Sequence, residues 1–166
     1  MPTLVLTDLH YTEKPKTMLR HQVDCVKKIL DDVQPTELIL MGDLMMHRKP
    51  SPTVLLALDE TLKHAKKYTG HITIIRGNHD SENKSDDGVT ALGYQGCLNS
   101  AGDQDFSLKL KDFKNTTWLG HIHRFNTKGL VTILGTPYTT NFGECDKMSF
   151  YGLIEHGRRS VCPIDH

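Results

Sequence analysis

Short apolar runs alternate with longer amphipathic stretches through the first half of the chain. Leu4-Val5-Leu6-Thr7 is β-rich and breaks into Asp8-Leu9-His10, which predicts a buried strand ending in a polar loop. From Thr17 to Val33, apolar residues at Met18, Val23, Val26, Ile29, Leu30 and Val33 follow a near-helical period, and Pro35 stops that helix. A second strand, Leu38 to Met41, runs into Gly42-Asp43. A second helix is predicted from Pro52 to Tyr68, with Ser51 as its cap. His71 to Ile75 is a third strand and breaks into Gly77-Asn78-His79-Asp80. Strand, helix, strand, helix, strand predicts right-handed crossovers and a parallel sheet core.

Beyond residue 80 the texture changes. Ser81 to Gly88 is polar and loop-like, and Val89 to Leu98 reads as a short helix. Phe106 to Leu110, Thr116 to Leu119, Leu130 to Leu134 and Met148 to Ile154 are short and β-rich, punctuated by Gly and Asn as antiparallel strands are. With no repeat, low-complexity tract or linker, residues 1–166 are expected to form one α/β domain with a mixed sheet or two packed sheets.

Composition narrows the function classes. Apolar residues make up 37% and charged residues 24%, a globular balance that fits neither a disordered tail nor a membrane protein. The longest apolar run, Val54 to Leu58, is far too short to span a bilayer. Twenty basic and twenty acidic residues cancel, which excludes a polycationic nucleic-acid coat and leaves room for a local patch or a bound metal to hold phosphates. Cys25, Cys97, Cys145 and Cys162 are scattered without a two-residue spacing, so they are expected to be reduced thiols. The start lacks the pattern of a signal peptide, and a cytoplasmic protein is expected. Histidine is the abnormal count, ten in 166, and histidine binds metals and moves protons.

The histidines and acids fall where chemistry is expected. Asp8 and His10 follow the first strand, Asp43 the second, Asn78 and His79 the third, and in open α/β sheets ligands bind beyond the carboxyl ends of the strands. Gly120-His121-Ile122-His123 follows a fourth strand, and two histidines one residue apart face the same way along an extended segment. Imidazoles, carboxylates and an amide oxygen suit manganese, iron or zinc better than calcium, and Asp43 is the natural bridge between two ions. Alone, Asp-Leu-His or Gly-Asp is an ordinary turn. Gly-Asn-His-Asp arises by chance in roughly one chain of this length in two thousand, so the set together argues for a site.

These four motifs resemble the signature of the calcineurin-like metallophosphoesterases. Gly42-Asp43-Leu44 with Lys49-Pro50-Ser51, and Gly135-Thr136-Pro137 with Phe142-Gly143-Glu144, resemble the SbcD-type exonucleases of double-strand-break repair. The resemblance implies a four-layer α/β/β/α fold, two mixed sheets packed together and flanked by helices. It implies two divalent ions, manganese first with iron or zinc as alternatives, that activate a water and clamp a phosphate. Asp8, His10, Asp43 and His123 would hold one ion, and Asp43, Asn78 and His121 the second, with Asn78 also near substrate. His79 would stabilise the transition state or protonate the leaving oxygen, Asp80 would orient it, and Arg124 would meet a phosphate. A DNA or nucleotide phosphodiester substrate is implied, with an SbcC-type ATPase or a second copy as partner and no membrane.

The sequence departs from that pattern in two places. Residues 81 to 120 contain no histidine and form a shorter interval than the SbcD-type enzymes have, so the usual further ligand to the second ion is missing. That ion would bind weakly, use water, or recruit Asp86, Asp87 or Gln95. Three residues beyond Asp43, where those enzymes place a histidine, stands Met46, and His47 comes one later as a catalytic or substrate contact. The chain also ends without room for the DNA-capping region and ATPase-binding tail of those enzymes. Two other readings therefore stand beside a nuclease: a small phosphodiesterase acting on nucleotides or cyclic nucleotides, and a scaffold of this fold that has lost metal chemistry, as a retromer subunit has.

Overall fold

The structure is a computed structural model and describes residues 1–77, 79–80, 91–92, 115–140 and 148–165. Its elements run β1 (Thr3–Leu6), α1 (Met18–Val33), β2 (Glu37–Met41), α2 (Pro52–Ala65), β3 (His71–Ile75), β4 (Ala91–Leu92), β5 (Thr117–Leu119), β6 (Asn126–Lys128), β7 (Val131–Ile133), β8 (Phe150–Glu155) and β9 (Arg158–Pro163). One sheet has the order β3-β2-β1-β8-β9 and the other β4-β5-β7-β6. Both are mixed. β1, β2 and β3 are mutually parallel, with Leu4 opposite Leu38 and Leu40 opposite Ile74, while β8 joins β1 antiparallel. Two successive strand–helix–strand units thus place the ends of β1, β2 and β3 on one edge.

Strand alternation makes two cores. Leu4, Leu6, Leu38 and Leu40 face Leu19, Val23, Val26, Ile29 and Leu30 of α1 and Val54, Ala57 and Ala65 of α2. Val5, Ile39, Met41 and Ile75 face the other way, onto Trp118 and Leu134 of the second sheet. Buried on both faces, β1 and β2 read as unbroken apolar runs. The described residues supply an α/β/β stack, three of the four expected layers.

Several boundaries and pairings differ from expectation. α1 ends at Val33 as expected, although the stop is made one residue before Pro35, where Gln34 takes a left-handed conformation and donates its N–H to Leu30 O. α2 ends at Ala65, three residues early, in a turn where Lys66 and Tyr68 still donate to Leu62 O and Ala65 O. Ser51 caps α2 as expected, accepting from Val54 N at 3.3 Å. Inside the predicted helix 89–98, Ala91–Leu92 is a strand paired antiparallel with β5. β5 and β7 pair parallel rather than antiparallel. The strand predicted over Phe106 to Leu110 lies outside the described residues.

Candidate metal centre

The loops after β1 and β2 are zipped together by main-chain bonds that extend the strand pairing. Asp8 N donates to Gly42 O at 3.2 Å, His10 N to Asp43 O at 2.8 Å and Tyr11 N to Leu44 O at 3.0 Å. Within that zipper Asp8, His10 and Asp43 adopt φ of +53°, +44° and +49°, and across the gap His121 adopts +75°. Left-handed conformations at non-glycine residues cost about 1–3 kcal/mol each and persist where the surroundings fix them. Four of the six in the described residues lie at this one place.

Asp8 is 0% exposed, His10 2% and Asp43 3%. Ligand atoms of Asp8, His10 and His123 lie within 4.8 Å of one another. The Nε2 atoms of His10 and His123 are 2.9 Å apart, and His10 Nε2 is 3.9 Å from Asp8 Oδ1. Two nitrogens held at right angles on one ion, with bonds of about 2.1 Å, lie about 3 Å apart, so the pair fits a shared divalent metal. His121 Nδ1 stands 3.8 Å from Asp43 Oδ2, giving a second, smaller grouping beside the first. Asn78, expected there, lies outside the described residues, as do Asp86, Asp87 and Gln95.

The electrostatics fit a cation as well. Burial pushes the Asp8 carboxyl up to about 7, with the Asp43 charge adding to the rise; the Thr7 hydroxyl and the His121 N–H act against it. Thr7 Oγ1 donates to Asp8 Oδ2 at 2.5 Å, and His121 N donates to both Asp8 oxygens at 2.9 and 3.0 Å. Burial also raises Asp43, but hydrogen bonds from His121 and from His79 N, with the charges of His10 and His79, outweigh it and hold that carboxyl below its ordinary value. Two carboxylates and an imidazole buried side by side are costly without a compensating positive charge.

His79 lies edge-on to His10, with ring centroids 4.9 Å apart at 87°. Its N–H donates to Asp43 Oδ1 at 2.8 Å, and its Nδ1 is 2.6 Å from Met46 O. A carbonyl only accepts, so Nδ1 carries the proton of that bond. The expected orienting role of Asp80 is therefore corrected. Asp80 accepts from Leu44 N at 2.9 Å and Gly77 N at 3.0 Å, pinning the loops after β2 and β3 together, and burial raises its carboxyl. A main-chain carbonyl meets the His79 ring instead, and it belongs to Met46, at the position where the SbcD-type enzymes place a histidine.

His47 is exposed and lines a cavity of about 160 Å³ with Tyr11, Lys14, Lys49 and Val54, apart from the Asp8–His10–His123 group. Arg124 is exposed. Its main chain lies under Gly135, where a Cβ would stand 2.8 Å from His123 O, and Thr136 N donates to that same oxygen at 3.3 Å. Gly135-Thr136 thus seats the loop carrying His123. Sequence reasoning missed Thr7, Met46 and Thr140, whose hydroxyl is 3.4 Å from His123 Nδ1. Thr7 left a signal, a hydroxyl ending a buried strand that must find partners. A backbone carbonyl leaves none.

The model of the calcineurin-like phosphoesterase family matches residues 1–164. No curated protein matches the chain. Among solved structures, Vps29 from Chaetomium thermophilum aligns at a TM-score of 0.45 and 13% identity, over 99% of this chain and 97% of that one. A conserved uncharacterised protein from Streptococcus pneumoniae TIGR4, a predicted phosphoesterase, aligns at 0.34 and 9%, over 98% and 97%. No helix of the described residues is long and apolar enough to cross a membrane.

Proposed function

Because the chain belongs to the calcineurin-like phosphoesterase family, we propose that it is a metal-dependent phosphodiester hydrolase with DNA as its leading substrate. The observation that carries the hydrolase reading is the convergence of Asp8, His10 and His123, with ligand atoms within 4.8 Å, beside Asp43 and His121. Asp8, His10 and His123 would hold a divalent ion, manganese first, which would supply Lewis acidity to neutralise phosphoryl charge and lower the pKa of water. The chain's own groups do the rest. Thr7 and the His121 N–H orient the Asp8 carboxylate, Asp43 is gripped by His79 N, and Met46 O holds the Nδ1–H of His79, so that in the doubly protonated ring the Nε2–H is the proton given to the leaving oxygen. The choice of DNA rests on the Gly42-Asp43-Leu44, Lys49-Pro50-Ser51 and Gly135-Thr136-Pro137 segments.

A manganese titration on single-stranded DNA, duplex DNA ends and bis-p-nitrophenyl phosphate, run beside His79→Ala and Asp43→Ala, tests the proposal. Cleavage that requires the metal is expected. It should be lost in Asp43→Ala and reduced about 10²–10⁴-fold in His79→Ala. Inactivity on every substrate, or unaltered rates in both variants, overturns the hydrolase reading. Turnover of the small diester with neither DNA cut would move the substrate to small phosphodiesters.

A further inference from the structure

α1 buries Leu19, Gln22, Val23, Val26, Ile29 and Leu30. Gln22 is the one polar side chain on that face, and it is 0% exposed. A primary amide in a helix–sheet core is costly unless its donors and acceptor are engaged. All its partners here lie in the loop after β1. Oε1 accepts from Thr12 N at 3.0 Å, and Nε2 donates to His10 O at 3.0 Å and, more distantly, to Leu9 O at 3.5 Å. The orientation of the amide is fixed by chemistry, since Thr12 N–H only donates and the two carbonyls only accept.

This loop holds His10 in its left-handed conformation, φ +44°. On one side the His10 N–H is tied to Asp43 O at 2.8 Å; on the other the His10 carbonyl is tied to Gln22. Leu9 O also accepts from the Tyr138 hydroxyl. The main chain of the loop is thus clamped between the β2 loop and the buried face of α1. We propose that Gln22 is a positioning residue of the metal centre: it holds the His10 main chain in the conformation that brings the imidazole against Asp8 and His123. The inference rests on the metal reading above, and Gln22 itself touches neither metal nor substrate.

The test is Mn²⁺ affinity, read by electron paramagnetic resonance on the full chain well below its melting temperature. The variants are Gln22→Met, which keeps the volume and loses all three bonds, and Gln22→Glu, which keeps the Thr12 bond and sets an acceptor against His10 O. Val26→Ala, a fully buried position on the same helix face, is the control for simple destabilisation. Both Gln22 variants should bind Mn²⁺ about ten-fold more weakly with an altered spectrum, the usual scale for losing a group that orients a metal ligand. Val26→Ala should melt earlier and bind as tightly as the unaltered chain. Should Gln22→Met not fold, Gln22→Glu decides. Unchanged affinity in the folded Gln22 variants, or equal weakening in Val26→Ala, overturns the inference. An unaltered chain that binds no Mn²⁺ overturns the metal reading first, and the inference with it.

Discussion

Gly77 occupies a spot where a methyl group has no room. A Cβ there would stand 2.3 Å from Asp43 N and 2.4 Å from Asp43 Oδ1, both belonging to a residue already held at φ +49°. Gly77→Ala should therefore displace the Asp43 carboxylate, cost about 1–3 kcal/mol of stability, and weaken metal binding. Denaturant melts and a Mn²⁺ titration on the variant check both effects; an unshifted midpoint with unweakened binding would contradict the packing argument. Most of the candidate site was legible in the sequence. Asp8, His10, Asp43, His79, His121 and His123 are polar groups at strand ends, and nothing but a turn or a site explains them there. Met46 and Gln22 were hidden, the first because it acts through its carbonyl, the second because it sits in a helical pattern whose neighbours are apolar.

α1 and α2 pack side by side, and a clasp of charges closes their outer seam. Arg20 reaches Asp24 at 2.6 Å and Glu60 at 3.2 Å, and Lys27 also pairs with Glu60. The Lys27 bond holds the Glu60 carboxyl below its ordinary 4.5, against the opposing effect of burial and with help from Arg20. A depressed folded pKa contributes stability that is present above the unfolded value and lost as pH falls through the folded one. Glu60→Gln should thus lower stability by about 0.2–1 kcal/mol near pH 7, the range for a solvent-screened pair, with the gap closing below about pH 4.5. Urea midpoints of both proteins across that range give the measurement; a gap that persists in acid would contradict it. Two of the strands missed in the sequence, β6 and β9, face solvent over much of their length. β6 is exposed at all three residues and β9 begins with exposed Arg158 and Arg159, so neither shows the alternation that marks a half-buried strand. The β8–β9 hairpin turns on His156 and Gly157, both at positive φ, without the Asn-Gly or Asp-Gly that announces such a turn.

In the whole molecule, the candidate metal centre sits on the seam between the two sheets. Asp8 and His10 follow β1 of one sheet and His123 follows β5 of the other, and the His121 N–H to Asp8 bond already crosses that seam. An ion held by all three would join the sheets and stabilise only the folded chain. Mn²⁺ at a hundred times its dissociation constant should add about 2.7 kcal/mol, or about 5–10 °C in melting temperature for a chain of this size, and a chelator should reverse it. Thermal melts with and without chelator read this directly, and coincident curves would contradict it. The parallel core was legible because β1 to β3 are buried on both faces and separated by amphipathic helices. The parallel β5–β7 pairing was not, since three-residue strands carry no mark of direction. Everything proposed for this site depends on Asp8, His10 and His123 holding a divalent ion. The most direct test of that binding is the anomalous scattering of crystals grown or soaked in Mn²⁺. A peak enclosed by Asp8, His10 and His123 is predicted; no peak there, or a peak only at another place, would contradict the account.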